Sequence, residues 1–275
     1  MNADLHKKLL QDLQKSGFAT EMQTIRAVRN AGWNSSGSGI YFDRDQSMTR
    51  AIDITAFKSM NNSRVGTGGL HFEYHLFIEV KKTERPWIVF RHSEPANAYG
   101  DTLDNPYVSH SECMPLADLT PFLHEHSIRT KLGWVGYGVH EAFKAPQDAG
   151  RWYTAAVTTC KAAYDYVRRE AFMFLKKSGS GTTYLILTHP IIVIDGSCLI
   201  SAKLVGEEEP NLEEIPFAPL QFGFSTARYE SGTYRVDLVA LKSITDYFEY
   251  SRWANGGCFW RAVRRKTIAK ATPPQ

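Results

Sequence analysis

Residues 184–196, YLILTHPIIVIDG, are an almost unbroken apolar run that ends on the turn dipeptide Asp195-Gly196. A run of this length and character, preceded by the turn-forming SGSGTT at 178–183, reads as a buried strand. A buried strand needs other elements to cover it, so the chain is expected to fold in layers around a sheet. The dipeptide is also a hairpin signal, which makes CLISAKLV (198–205) its expected antiparallel partner.

The rest of the chain supplies elements to match. Leu5, Leu9, Leu10 and Leu13 recur at helical spacing over residues 3–15, and Gly17 ends that helix. Thr20 with Gln23 fits a capping box for a second helix that stops at Gly32. NSSGSG (34–39) reads as a flexible turn. Strand-like runs follow at 39–42, 50–57 and 72–80, with KSMNNSRVGTGG (58–69) as a loop, and PWIVF (86–90) adds a fourth apolar run. Residues 92–150 lack a sustained period and read as an irregular insertion with one short helix near 116–126. A long helix at 152–176 carries Ala156, Cys160, Ala163, Val167, Ala171 and Phe174 along one side. An acidic loop at 206–219, a strand at 233–241, a helix at 243–254 and a basic tail complete the order. The pattern is that of an α/β domain with a mixed central sheet.

Of the 275 residues, 43% are hydrophobic and 22% charged, an ordinary globular balance. No run approaches the ~18 apolar residues of a spanning helix, and the N-terminal stretch lacks the apolar segment of a secretory signal. The protein is expected to be cytoplasmic, with no membrane partner. Cys113, Cys160, Cys198 and Cys258 are scattered, which argues against a disulfide framework. The nearest thing to a zinc site is His124-Glu125-His126 with Cys113 upstream, and a solvated helix end is the better reading of it.

Two strands break the apolar pattern. In AIDITAF, Asp53 stands between Ile52 and Ile54; in LFIEVKK, Glu79 stands between Ile78 and Val80. Charges inside such strands are costly unless paired or bound to a cation. Alternation puts Glu79 and Lys81 on one face and Ile78 and Val80 on the other. With suitable register, Asp53 meets them there. Two carboxylates with a backbone carbonyl and waters suit Mg²⁺, with Mn²⁺ able to substitute. A buried Glu79–Lys81 ion pair beside a turn-capping Asp53 is the plainer alternative.

GFATEMQTIRAVRNAGW (17–33), YFDRDQSMTRAIDITAF (41–57) and HLFIEVKKTERPWIVF (75–90) together resemble the PD-(D/E)XK nuclease superfamily, the restriction-endonuclease-like fold. The strand at 184–194 fits the next core element. The resemblance implies an α-β-β-β-α-β core with a mixed central sheet, extended here by extra C-terminal strands and a helix. It also implies one nuclease-like domain over 1–270, interrupted at about 92–150, with 271–275 as a tail. Carried over, Asp53, Glu79 and Lys81 are catalytic. Asp53, Glu79, Glu21 and the Val80 backbone carbonyl are metal ligands. Ile52 stands where the motif often has proline, and Lys161 stands where some branches have glutamine. The implied activity is Mg²⁺-dependent hydrolysis of phosphodiesters in nucleic acid, by a DNA endonuclease of restriction, repair or defence. The alternative is a catalytically inactive module of the same fold that binds nucleic acid or a protein partner. A homo-oligomer fits either reading.

Arg50, Lys161, Arg264 and Arg265 are candidate contacts to nucleic-acid phosphates, and Arg168 and Arg169 have similar standing. Asp43 and Asp45 read as turn residues ahead of metal ligands. Trp87 and Trp134 read as core ahead of base-stacking platforms, and His189 and Asp195, which flank an apolar strand, as hydrogen-bonded structural residues.

Overall fold

The structure is a computed structural model that describes residues 1–64, 67–91, 107–110, 132–144, 150–175, 183–203, 209–229 and 232–251. Helix α1 (Ala3–Ser16) opens on the Asn2 side chain, which accepts the Asp4 N–H at 3.0 Å, and closes on Gly17 at φ 83°. The same glycine begins α2 (Phe18–Asn30). Thr20 is therefore inside the first turn instead of capping it, and its hydroxyl is released for another bond. Helix α3 (Arg151–Leu175) and α4 (Ile244–Ser251) complete the described α-helices.

Eleven described strands form one mixed sheet. They are β1 (Asn34–Asp43), β2 (Met48–Arg64), β3 (Thr67–Lys82), β4 (Trp87–Arg91), β5 (Tyr107–His110), β6 (Gly136–Glu141), β7 (Thr183–Asp195), β8 (Leu199–Lys203), β9 (Asn211–Ile215), β10 (Phe217–Phe224) and β11 (Gly232–Ala240). Their order across the sheet is β1-β2-β3-β7-β11-β10-β6-β4-β8-β9, with β5 on β7. β1, β2 and β3 form an antiparallel meander, and β3, β7 and β11 run parallel.

β7 is the buried strand its sequence announces. Ile191 and Val193 join a core with Val28 of α2 and Ile244, Tyr247 and Phe248 of α4. Ile192 and Ile194 face the other way, into a core with Ala155, Ala156 and Cys160 of α3. Each such aliphatic side chain contributes roughly 1.5–3 kcal/mol relative to exposure. Helices thus cover both faces of the sheet at β7.

The expected β7–β8 hairpin does not form. β3 takes one edge of β7, and β11 and β5 take the other. With both edges filled, β8 pairs instead with β4 in parallel and β9 antiparallel. The stretches 34–39 and 58–69, read from composition as a turn and a loop, belong largely to β1, β2 and β3, where ladder partners override weak intrinsic preference. β5 and β6 fall within the 92–150 insertion, so part of that stretch is regular, and β9 and β10 occupy much of 206–219. The short helix near 116–126, the His124–His126 zinc candidate and the basic tail lie outside the described residues.

β2 changes course at Asp53. Ile54 packs into the core under α2 and α4, whereas Ile52 packs with Tyr41, Phe77, Ala162 and Ala163 beside α3. Simple alternation would send both isoleucines to one face. Opposite the change lies Ser38, at φ 57°. The next residue must be glycine, because a Cβ on Gly39 would come within 2.4 Å of the Thr55 methyl.

Candidate active site

The β2–β3 ladder ends at the Ile54–Ile78 pair. One residue beyond it the strands part, and side chains replace the ladder. The Val80 N–H donates to Asp53 Oδ2 at 2.8 Å, and the Asp53 N–H donates to the Glu79 carboxylate. Lys81 Nζ lies 2.5 Å from Glu79 Oε2 and 3.8 Å from Asp53 Oδ2. The opening therefore holds two carboxylates from adjacent strands with one ammonium between them.

Glu79 is 6% exposed. Burial pushes its carboxyl above the ordinary range, the Lys81 charge pulls it down, and the Asp53 charge pushes it up again. Glu21 of α2 feels the same charges. Its carboxyl is raised by burial and then by the charge of Asp53, against the pull of Lys81. Three acids and one lysine thus share one electrostatic environment.

α2 is pinned there by a bond that gives Asp195 its expected structural role but with a partner, Thr20, that was read as a cap. Thr20 Oγ1 donates to Asp195 Oδ2, at the end of β7, at 2.6 Å. Asp195 also accepts the Thr83 N–H through its carbonyl at 2.8 Å, just past the Lys81 segment. Thr20 and Asp195 are 175 residues apart in the chain, so no local signal announces them.

Among the described residues, no three His, Cys, Asp or Glu side chains converge in a metal-holding group. That excludes from the opening a cage built wholly of side chains. It leaves the donor set Mg²⁺ prefers: one or two carboxylates, a carbonyl and several waters. Backbone geometry supplies the carbonyl. In an extended strand, the N–H and C=O of one residue point to the same side. The Val80 N–H points at Asp53, so its carbonyl faces the opening too. Lys81 already stands where a cation would balance both acids, and the residues fit a hard divalent ion.

The basic residues fare differently. Lys161 is 7% exposed, with Nζ at 2.8 Å from both Asp43 Oδ1 and Asp45 Oδ2. Burial alone would lower its pKa, but those bonds outweigh it and raise it. Lys161 therefore locks the β1–β2 turn to α3 and is not positioned to meet a phosphate. Arg50 is exposed on β2, bonded to Gln46. Arg168 and Arg169 are on α3, over the rings of Tyr164 and Tyr166. Arg264 and Arg265 lie outside the described residues. Trp87 is fully buried in the core, and Trp134 packs against the same cluster beneath Arg91. His189 is buried and bonded on both sides, to Tyr74 at 2.6 Å and Asp237 at 2.9 Å.

A second polar cluster lies further back on β3. His71 and His75 each place Nε2 2.8 Å from a different oxygen of Glu73, and Tyr166 of α3 donates to Glu73 Oε2 at 3.0 Å. The H-x-E-x-H spacing puts all three on one face, a period-two signal that was open to view in the sequence. The His75 bond, partly opposed by burial, brings the Glu73 carboxyl down from 4.5 to about 2. A depressed native pKa stabilises the fold above the unfolded value and loses that stabilisation as pH falls from about 4.5 towards 2. Glu73→Gln is expected to cost about 1–3 kcal/mol at neutral pH and to flatten the acid-induced stability loss in that window, as read from urea melts at stepped pH.

No family model, curated protein or solved structure matches the chain.

Proposed function

We propose that this protein is a metal-dependent nuclease of the PD-(D/E)XK type, cleaving phosphodiester bonds in DNA. The observation that carries this reading is the parted β2–β3 edge, where Asp53 and Glu79 face each other across Lys81. Elements α2, β1, β2, β3, α3 and β7 occur in the sequence of the α-β-β-β-α-β core that the resemblance implies, with β4, β5 and β6 intervening between β3 and α3, and this supports the reading too.

Asp53, Glu79 and the Val80 carbonyl would hold the Mg²⁺, with Glu21 adding negative charge nearby. Such an ion lowers the pKa of a bound water and offsets charge on the scissile phosphate. The protein's own groups do the rest. Asp53 is oriented by the Val80 N–H, and Glu79 by the Asp53 N–H. Lys81 places a positive charge beside both carboxylates, where it orients the attacking water and offsets negative charge as it develops.

The test is supercoiled plasmid incubated with the purified protein and Mg²⁺ or Mn²⁺, with an EDTA control. Metal-dependent nicking or linearisation is expected. DNA binding without cleavage under any divalent ion would replace this reading with the non-catalytic module.

Glu21 gives a sharper check. Glu21→Gln is expected to lower cleavage about 10-fold at limiting Mg²⁺, as for groups that act on a metal without ligating it. Added metal should restore most of that loss, with the melting temperature nearly unchanged. If Glu21 serves only the helix dipole, an effect of ~0.3–1 kcal/mol, the variant instead melts slightly lower and cleaves normally at every metal concentration.

A further inference from the structure

β3 has two edges, and its backbone groups alternate between them. The Thr83 N–H points to β7, where it meets Asp195, and the Val80 N–H points to Asp53 in the opening. Even-numbered residues at this end of β3 therefore turn their N–H and C=O groups towards the opening. Lys82 is one of them, and its carbonyl accepts a hydrogen bond from Arg151 Nη1 at 3.1 Å. Arg151 is the first residue of α3 and comes from 69 residues further along the chain. Its guanidinium thus stands on the open edge, beside a carbonyl that lies ~7 Å of strand rise from that of Val80.

A buried carboxylate lies on its other side. Glu141, at the end of β6, is 3% exposed, and its Oε1 lies 3.7 Å from Arg151 Nε. Lys144 Nζ lies 3.5 Å from Glu141 Oε2, which has no hydrogen-bond partner among the described residues. The Arg151 side chain itself remains 57% exposed, and its Nη2 has no partner among the described residues. The position is also costly: a cation at a helix N-terminus opposes the helix dipole, and the first turn of α3 holds no acid to offset it. An arginine tethered to the strand edge by one hydrogen bond, with donors turned to solvent, is suited to a phosphate.

On the nuclease reading above, we infer that Arg151 is a substrate-binding residue that holds the backbone phosphate next to the scissile one, with Glu141 and the Lys82 carbonyl positioning it. Lys82 is two residues beyond Val80 on β3, which sets Arg151 beside the opening and not within it. The competing role is a counter-ion for buried Glu141 and nothing more.

The two roles separate in a binding measurement that needs no cleavage. Affinity for a short fluorescein-labelled DNA duplex is read by anisotropy in EDTA over a salt series, for wild type, Arg151→Ala, Arg151→Gln and Arg151→Lys. Loss of one phosphate contact lowers the slope of log affinity against log salt by about one. Arg151→Ala and Arg151→Gln are expected to show that drop with several-fold weaker binding, and Arg151→Lys to keep the slope. Arg151→Gln retains a donor for the Lys82 carbonyl, so it guards against a simple loss of folding. An unchanged slope and affinity in both neutral variants, while wild type cleaves plasmid, overturns the Arg151 assignment and leaves the nuclease reading standing. A reduced slope in a protein that never cleaves DNA supports the phosphate contact and removes the nuclease reading. A wild type that binds no DNA at all overturns both.

Discussion

Asp53→Asn and Glu79→Gln are each expected to reduce DNA cleavage by roughly 10³-fold or more, at an unchanged or higher melting temperature. The two effects have one origin. Burial and the neighbouring Asp53 charge hold the Glu79 carboxyl above its ordinary range, so its ionised form is disfavoured in the fold. Glutamine keeps the shape and removes the buried charge. In the Asp53→Asn variant the side-chain amide still offers an oxygen to the Val80 N–H, which in the wild type bonds to Asp53 Oδ2 at 2.8 Å. What both variants lose is negative charge for the metal. A site kept for stability would behave in the opposite way, losing melting temperature first. The checks are a plasmid time course at saturating Mn²⁺ and a thermal melt of the same preparations.

Asp237→Ala is expected to destabilise the protein by about 3–5 kcal/mol, the usual consequence of removing one member of a buried charged cluster. Asp237 is 0% exposed on β11. Its carboxylate lies 2.9 Å from His189 Nε2 and 3.3 Å from Arg235 Nε, and accepts from the Tyr247 hydroxyl at 2.9 Å. Burial alone would raise its pKa, but the charges of Arg235 and His189 outweigh that and lower it. Alanine would leave the arginine at 7% exposure without its carboxylate. The cluster ties β7, β11 and α4 together behind the site, so a urea titration should show the loss as a shifted midpoint at constant slope. A loss under about 1 kcal/mol would mean that water or a rearranged Arg235 replaces the carboxylate.

The strands of the site were legible because charge inside apolar strand sequence is rare for a physical reason. Asp53, Glu79 and Lys81 stand out against isoleucine and valine, and β7 stands out by having no polar face. Local signals failed where a distant partner decides the outcome. Asp195-Gly196 marks a real turn, with Gly196 at φ 85°, yet β8 leaves because both edges of β7 are taken. Thr20 has the chemistry of a cap and serves Asp195 instead. Lys161 and Arg151 look equivalent as basic residues in a sequence. Only the fold sets one between two aspartates and the other on an open strand edge.

The opening between β2 and β3 is expected to bind a divalent ion. A crystal soaked in Mn²⁺, with anomalous differences collected at the manganese edge, tests it most directly. The expected result is a peak about 2.1 Å from carboxylate oxygens of both Asp53 and Glu79, with the Lys81 ammonium moved off Glu79 Oε2. A fully soaked crystal with no anomalous peak there, and Lys81 still bridging the two acids, would contradict it.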